Sequence, residues 1–240
     1  MDLNQNMSYW GFVDCGGFRM LSGGNDDLVA LRFKWANYEK HSIALWKNLC
    51  KGTVLDIGAH TGAYTLAALT QGAEVYSFEP NIMAFARLNL NLRANFFPTD
   101  KAFPVAVGEE TGLARLQVSL DPSFLSSGGA IAEQGIEVPM VNLDRFFTRT
   151  PTISAIKIDT EGFEEPCLKG MSDILQQRPA ILFECIQESN IMDLLQGYRF
   201  YLIDEQTETL APVDTLTPQR HNGKPIAHLR NRLALYETYH

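Results

Sequence analysis

The sequence predicts an α/β fold, a mostly parallel sheet with helices on both faces and an antiparallel edge. From Gly52 onward, short apolar runs alternate with helical periods. A glycine turn joins the first run to the first helix, and the C-terminal runs follow one another through short connections. The 240 residues suit one domain, and an apolar share of 45% supports a large core.

Residues 1–50 read as an N-terminal cap segment on a main domain of residues 51–240. The cap is rich in glycine and aromatics (Tyr9, Trp10, Phe12, Phe18), and a helix over Tyr38–Leu49 would bury Ile43, Leu45, Trp46 and Leu49. Buried strands are expected at Val54–Ile57, Glu74–Phe78, Phe103–Val107, Ala155–Ile158 and Ala180–Phe183. Helices are expected at Thr61–Thr70 and Asn81–Ala94, the second with Phe85, Leu88 and Leu92 on one face. Gly170 ends a further helix that begins after Gly162. Leu113–Val141 reads as β-hairpin material with a Ser126–Gly129 tip, and Phe200–Ile203, Thr209–Val213 and Leu233–Tyr236 as antiparallel strands. Right-handed crossovers bring the C-terminal ends of the parallel strands to one rim, where ligands bind.

The net charge of −8 and the lack of a basic stripe argue against a nucleic-acid partner and for a small-molecule one. The four cysteines form no C-x-x-C pair and no zinc spacing, so they read as buried thiols. The N-terminus has no basic region followed by an apolar one, and no window reaches the ~18–20 apolar residues of a membrane span. A cytoplasmic protein is the expectation, and homo-oligomerisation is left open.

The chemistry is carried by Val54-Leu-Asp-Ile-Gly-Ala-His-Thr-Gly62, a strand, a turn and the start of a helix. Gly58 and Gly62 allow a tight turn and close approach of a ligand to backbone. The free N–H groups opening the next helix suit the carboxylate of a methionine moiety. Asp56 can meet the ammonium of that moiety, and Glu79, ending the second strand in Phe78-Glu79-Pro80, can accept two ribose hydroxyls. Adjacent strands lie ~4.8 Å apart, so both acids reach one nucleoside. Singly, Asp56 reads equally as a turn former and Glu79 as a helix-initiating acid; together, across one strand–helix–strand unit, they indicate a nucleoside site. The dinucleotide fingerprint G-x-G-x-x-G is absent, because the glycines stand as Gly58-x-x-x-Gly62.

These residues resemble the FkbM family of methyltransferases over about residues 38–237. The likeness rests on Tyr38-Glu39, Asp56-Ile-Gly-Ala-His-Thr-Gly62, Phe78-Glu79-Pro80, Asn142-Leu143-Asp144, Lys157-Ile-Asp-Thr-Glu-Gly162 and Phe183-Glu184. It implies a Rossmann-like class I methyltransferase fold with a seven-stranded, mostly parallel sheet of order 3-2-1-4-5-7-6, strand 7 antiparallel. It also implies S-adenosylmethionine as cofactor and O-methylation of a small hydroxylated substrate, a sugar or polyketide-type acceptor. The cofactor-binding residues are then Asp56, Gly58, Ala59, His60, Gly62, Glu79, Pro80 and Val107, with Val107-Gly108 as the adenine wall. His60 stands where family members often carry asparagine, and Pro166 requires the following helix to start near Glu165.

Such a reaction needs a nucleophile held in line, about 3 Å from the methyl carbon, and a base for the hydroxyl proton. Asp159, Glu161 and Glu184 stand at the ends of the fourth and fifth strands and are the catalytic candidates. Against this, Glu161 could cap the next helix and Asp159 could pair with Lys157, two residues away on the same strand face. His60 suits a structural hydrogen bond better than a base. No metal is called for, although three clustered acids are also the pattern of a Mg²⁺-dependent O-methyltransferase. A non-catalytic cofactor-binding protein of the same fold is the other alternative. The cap, with Tyr9, Trp10, Phe12, Trp35 and the acids Asp26 and Asp27, and the hairpin region are expected to shape the acceptor pocket.

Overall fold

A computed structural model describes residues 11–22, 39–118 and 129–237. Tyr9, Trp10, Asp26, Asp27, Trp35, Tyr38 and residues 126–128 of the expected hairpin tip lie outside them. Strands β1 (Gly11–Asp14) and β2 (Arg19–Ser22) form a hairpin, followed by helix α1 (Lys40–Leu49). Then come β3 (Thr53–Ile57), α2 (Ala63–Leu69), β4 (Glu74–Phe78), α3 (Ile82–Ala94) and β5 (Ala102–Phe103). Strands β6 (Ala106–Val107), β7 (Gly112–Gln117), β8 (Ala130–Ile131) and β9 (Ile136–Val141) make a separate sheet. The chain continues through α4 (Leu143–Phe146), β10 (Ile153–Ile158), α5 (Glu164–Lys169), α6 (Ser172–Leu175), β11 (Ala180–Glu184) and α7 (Ile191–Leu194). It ends with β12 (Tyr198–Asp204), β13 (Thr209–Val213), the short pair β14 (Arg220–His221) and β15 (Lys224–Pro225), and β16 (Asn231–Tyr236).

The main sheet runs β13-β12-β16-β11-β10-β3-β4-β5. Strands β11, β10, β3, β4 and β5 are mutually parallel, and β16 is antiparallel to both β11 and β12. The result is a methyltransferase-like α/β fold with a mixed sheet, of eight strands rather than the expected seven. The extra strand is β13. The Asp204 carboxylate accepts the amides of Gln206 and Thr207, and this turn folds β13 back on β12. Pro212 has no N–H to offer the ladder, which suits the outermost position.

The run Phe103–Val107 also departs from expectation. It is two strands in two sheets, β5 beside β4 and β6 beside β9. Pro104 between them removes a ladder donor, and the chain changes sheets there. Helix α5 starts at Glu164, which leaves Pro166 within its first turn.

Strand alternation gives the main sheet two buried faces. Val54, Val75, Ala155 and Leu182 pack with Trp46 of α1, Leu66 of α2 and Leu88 of α3. Leu55, Ile57, Phe78, Ile156 and Phe183 pack on the other side with Leu168 and Ile174 of α5 and α6. The described part of the N-terminal segment shares the first face, since Phe18, Met20 and Trp46 are buried there. The C-terminal strands fasten α1: Glu205 accepts the amides of His41 and Ser42 and the Ser42 hydroxyl, and Asn231 donates to that hydroxyl. Among the described residues no helix is long and apolar enough to cross a membrane.

Trp46 is fully buried, and its Nε1 donates to the Tyr64 carbonyl at 3.0 Å. Trp46→Ala is expected to lower the free energy of urea unfolding by about 3–5 kcal/mol. Phe12→Ala, at a position 52% exposed, should cost less than ~0.5 kcal/mol.

Candidate active site

Ser77 on β4, Asp56 on β3 and Lys157 on β10 are register neighbours across three parallel strands. Their side chains therefore form a polar row on the face covered by α1 and α2, close to the C-terminal rim. Lys157 is 1% exposed. Its Nζ donates to Asp159 Oδ2 at 3.0 Å and lies 4.7 Å from the centre of the Tyr64 ring. Burial pulls the ammonium down. The charges of Asp159 and Glu39, the hydrogen bond to Asp159 and the charge of Asp56 outweigh it, so Lys157 titrates above the ordinary lysine value.

Three acids surround this cation. Asp159 makes the direct pair, as one of the two sequence readings had it. Asp56 Oδ2 accepts from Thr65 Oγ1 at 2.5 Å, and that hydroxyl lies 2.8 Å from Ser77 Oγ. Burial pushes Asp56 up to about 6, against the Thr65 hydrogen bond and the Lys157 charge. Glu39 accepts the Tyr64 hydroxyl at 2.6 Å, and burial raises it too, against the charge of Lys157. Nothing in the local sequence around Glu39 points to this role. An acid before a helix reads as a cap, yet Glu39 takes a left-handed backbone (φ 41°) and makes no side-chain cap bond.

Glu79 closes the turn from the other side. Its Oε2 accepts the His60 amide at 2.7 Å and its Oε1 the Asn81 amide at 2.8 Å. Burial pushes Glu79 up to about 7, the two backbone bonds opposing. Helix α3 is capped by Asn81, whose side chain accepts the Met83 amide at 3.0 Å. The backbone amide of His60 thus ties the turn to β4.

The turn glycines answer to protein atoms. Gly58 has φ 75°, and a Cβ there would stand 1.8 Å from the Asp159 carbonyl oxygen. The positive φ makes the tight turn, and the backbone after β10 fills the space a side chain would take. A Cβ on Gly62 (φ 94°) would stand 2.5 Å from Leu88 Cδ1, so that glycine lets α2 approach α3.

Asp56, Gly58, Ala59, His60, Lys157 and Asp159 line a cavity of about 30 Å³ above the turn. That is room for roughly one water molecule. A larger cavity of about 760 Å³, lined by Leu168, Arg178, Tyr198 and Tyr236, lies at the opposite end of β11 from Glu184. Size favours the second; the converging carboxylates and the buried cation make the first the candidate chemical site. Gly62, Glu79, Pro80 and Val107 do not line the small cavity. The Val107 side chain is buried in the core, and its carbonyl accepts the Cys167 thiol at 3.2 Å.

The other two rim acids join Asp159. One carboxylate oxygen each of Asp159, Glu161 and Glu184 lies within 4.8 Å of the others. Glu184 is buried and takes Arg230 Nη1 on Oε1 at 3.2 Å, while its Oε2 is buried with no hydrogen-bond partner among the described residues. Burial, then the charges of Asp159 and Glu161, push Glu184 up to about 9. Glu161 does not hold the loop that opens α5. Glu164 does so, accepting the Thr160 amide and hydroxyl at 3.0 Å each and the Gly162 amide at 3.1 Å. The described cysteines are all free thiols, three of them buried.

Comparison with known proteins gives the following likenesses. The profile of the methyltransferase FkbM domain matches residues 56–202. Over 136 residues the chain is 27% identical to the hexuronic acid methyltransferase AglP of Haloferax volcanii, covering 54% of each protein. The match thus spans about half the length of that curated relative. Among solved structures, a SAM-dependent methyltransferase from Agrobacterium tumefaciens superposes with a TM-score of 0.55 at 15% identity, covering 99% of this chain and 72% of that one. The tRNA (uracil-54, C5)-methyltransferase of Pyrococcus abyssi, in complex with S-adenosyl-L-homocysteine, gives 0.52 at 14% identity, covering 94% and 44%. At these identities the two structures speak to the fold.

Asp56 sets a pH dependence. Its pKa rises from 3.8 in the unfolded chain to about 6 in the folded one, so the folded state holds the proton more tightly. Its contribution to stability is complete below about pH 4 and is lost as pH rises through about 6. In thermal unfolding, Asp56→Asn should lose less stability between about pH 4 and 6.5 than the parent. Equal slopes would refute the shift.

Proposed function

The chain belongs to the FkbM methyltransferase family, and we propose that it transfers a methyl group from S-adenosylmethionine to a hydroxyl oxygen of a sugar-like small molecule. The residues above the turn suit that donor. Asp56 offers a carboxylate to the ammonium of the methionine moiety, and the amides of the turn suit its carboxylate. Each oxygen of Glu79 holds one backbone amide and keeps a lone pair for a ribose hydroxyl. The cavity of about 30 Å³ is then the anchor for one end of the ligand rather than space for all of it. The 27% identity to a hexuronic acid methyltransferase supports a sugar acceptor.

The donor supplies a methyl group on a sulfonium, and the electron pair of the carbon–sulfur bond leaves with sulfur as the acceptor oxygen bonds to carbon. The protein must orient the acceptor and remove the hydroxyl proton. Asp159 is the base in this reading. The carrying observation is its position: it lines the cavity above the turn and also belongs to the rim cluster with Glu161 and Glu184. Lys157 fixes its orientation through Oδ2.

Calorimetry with S-adenosylmethionine and a mass-gain screen over hydroxylated sugars and hexuronic acids test the proposal. Glu79→Ala should weaken donor binding about tenfold or more, or about 1.4 kcal/mol per factor of ten. Asp159→Asn should keep donor affinity and lose about 10²–10⁴-fold in kcat. No donor uptake by the parent protein, or full turnover by Asp159→Asn, would overturn the corresponding assignment.

A further inference from the structure

We infer that Asp159, Glu161 and Glu184 form a binding site for one hard divalent cation such as Mg²⁺ or Mn²⁺. The three carboxylates come from two stretches of backbone: Asp159 and Glu161 from the loop just past β10, and Glu184 as the last residue of β11. Their oxygens lie within 4.8 Å of one another. Two oxygens on one ion at about 2.1–2.5 Å stand at most about 4.2–5.0 Å apart, so a small inward rotation of the side chains brings all three onto one ion.

The cluster is incomplete without a further positive charge. Lys157 occupies Asp159 Oδ2, and Arg230 occupies Glu184 Oε1. Each cation fixes one oxygen of its carboxylate, as outer partners do for metal ligands. Among the described residues no such cation meets the remaining oxygens. The Glu184 side chain is 7% exposed, and its Oε2 is buried without a hydrogen bond among the described residues. A buried carboxylate oxygen in that condition is costly, and a cation at the cluster supplies the missing partner.

Donor chemistry selects the class of ion. All three ligands are carboxylates, with no thiol or imidazole among them, which suits hard cations over zinc or copper. The site rests on these side chains alone. Its use rests on the methyl-transfer reading: a cation there would hold adjacent oxygens of the acceptor and lower the pKa of the hydroxyl to be methylated. It would also offset the repulsion between the rim acids and an anionic acceptor such as a hexuronic acid.

The test is Mn²⁺ titration of the full chain followed by electron paramagnetic resonance, with no methyl donor present. One Mn²⁺ should bind per chain at or below about 1 mM, within the range of carboxylate sites. Glu161→Gln and Asp159→Asn should each weaken binding roughly tenfold or more. Glu188→Gln, an exposed acid outside the cluster, should leave it unchanged. Glu161 is exposed, so its substitution leaves the fold intact and keeps the test decisive. No uptake up to about 1 mM, or equal uptake by the parent and both cluster variants, would overturn the inference. Because the readout involves no methyl transfer, its failure is distinct from a failure of the proposed reaction.

Discussion

The site is organised by one buried charge. Lys157 sits on the central strand β10 at 1% exposure, inside a polar row between apolar layers. An ammonium in that position is tolerable only if acids come in with it. Asp159 bonds it directly, and Asp56 and Glu39 add their charges from a neighbouring strand and from the start of α1. Two of these acids, Asp56 and Glu39, are buried deeply enough that burial raises them above ordinary carboxylates. Cation and anions hold one another in place, and elements far apart in the chain are thereby drawn to one rim.

The glycine turn depends on this arrangement. Gly58 lies against the carbonyl of Asp159, the residue that pairs with Lys157, and Glu79 grips the His60 amide from β4. The turn is clamped between two strand ends, with an acid from each. This gives rigidity before any ligand arrives, which limits the ordering cost of binding. The same clamp explains the small cavity: Asp56 and Glu79 are already held by protein donors, while among the described residues Thr61 Oγ1 in the turn and Glu184 Oε2 on the rim are buried without a hydrogen bond.

Much of the architecture was legible in the sequence because it follows from periodicity. Val54–Ile57 and Glu74–Phe78 are apolar runs between turn signals, and strands occupy both. The break at Pro104 was missed because an apolar run does not say which sheet each half joins. The eighth strand was expected as an antiparallel element, but its place beyond β12 follows from the turn at Asp204. At the site, Asp56, Glu79, Asp159, Glu161 and Glu184 were legible because strand ends of a parallel sheet converge. The part played by Glu39 was not, since its contact with Tyr64 depends on how α1 lies across α2. The close contact at Gly58 was not legible for a similar cause: the carbonyl oxygen that leaves no room for a side chain there belongs to residue 159, far along the chain.

The most direct test of the central claim is the charge state of Lys157. Carbon-13 labelling of the lysine Cε followed by NMR titration reads that ammonium in the intact protein. The account predicts that Lys157 remains charged beyond the ordinary lysine value of 10.5, held there by Asp159, Glu39 and Asp56 against its burial. Titration near or below neutral pH would mean that burial wins, that the lysine enters the core uncharged, and that the acids around it are held by something else.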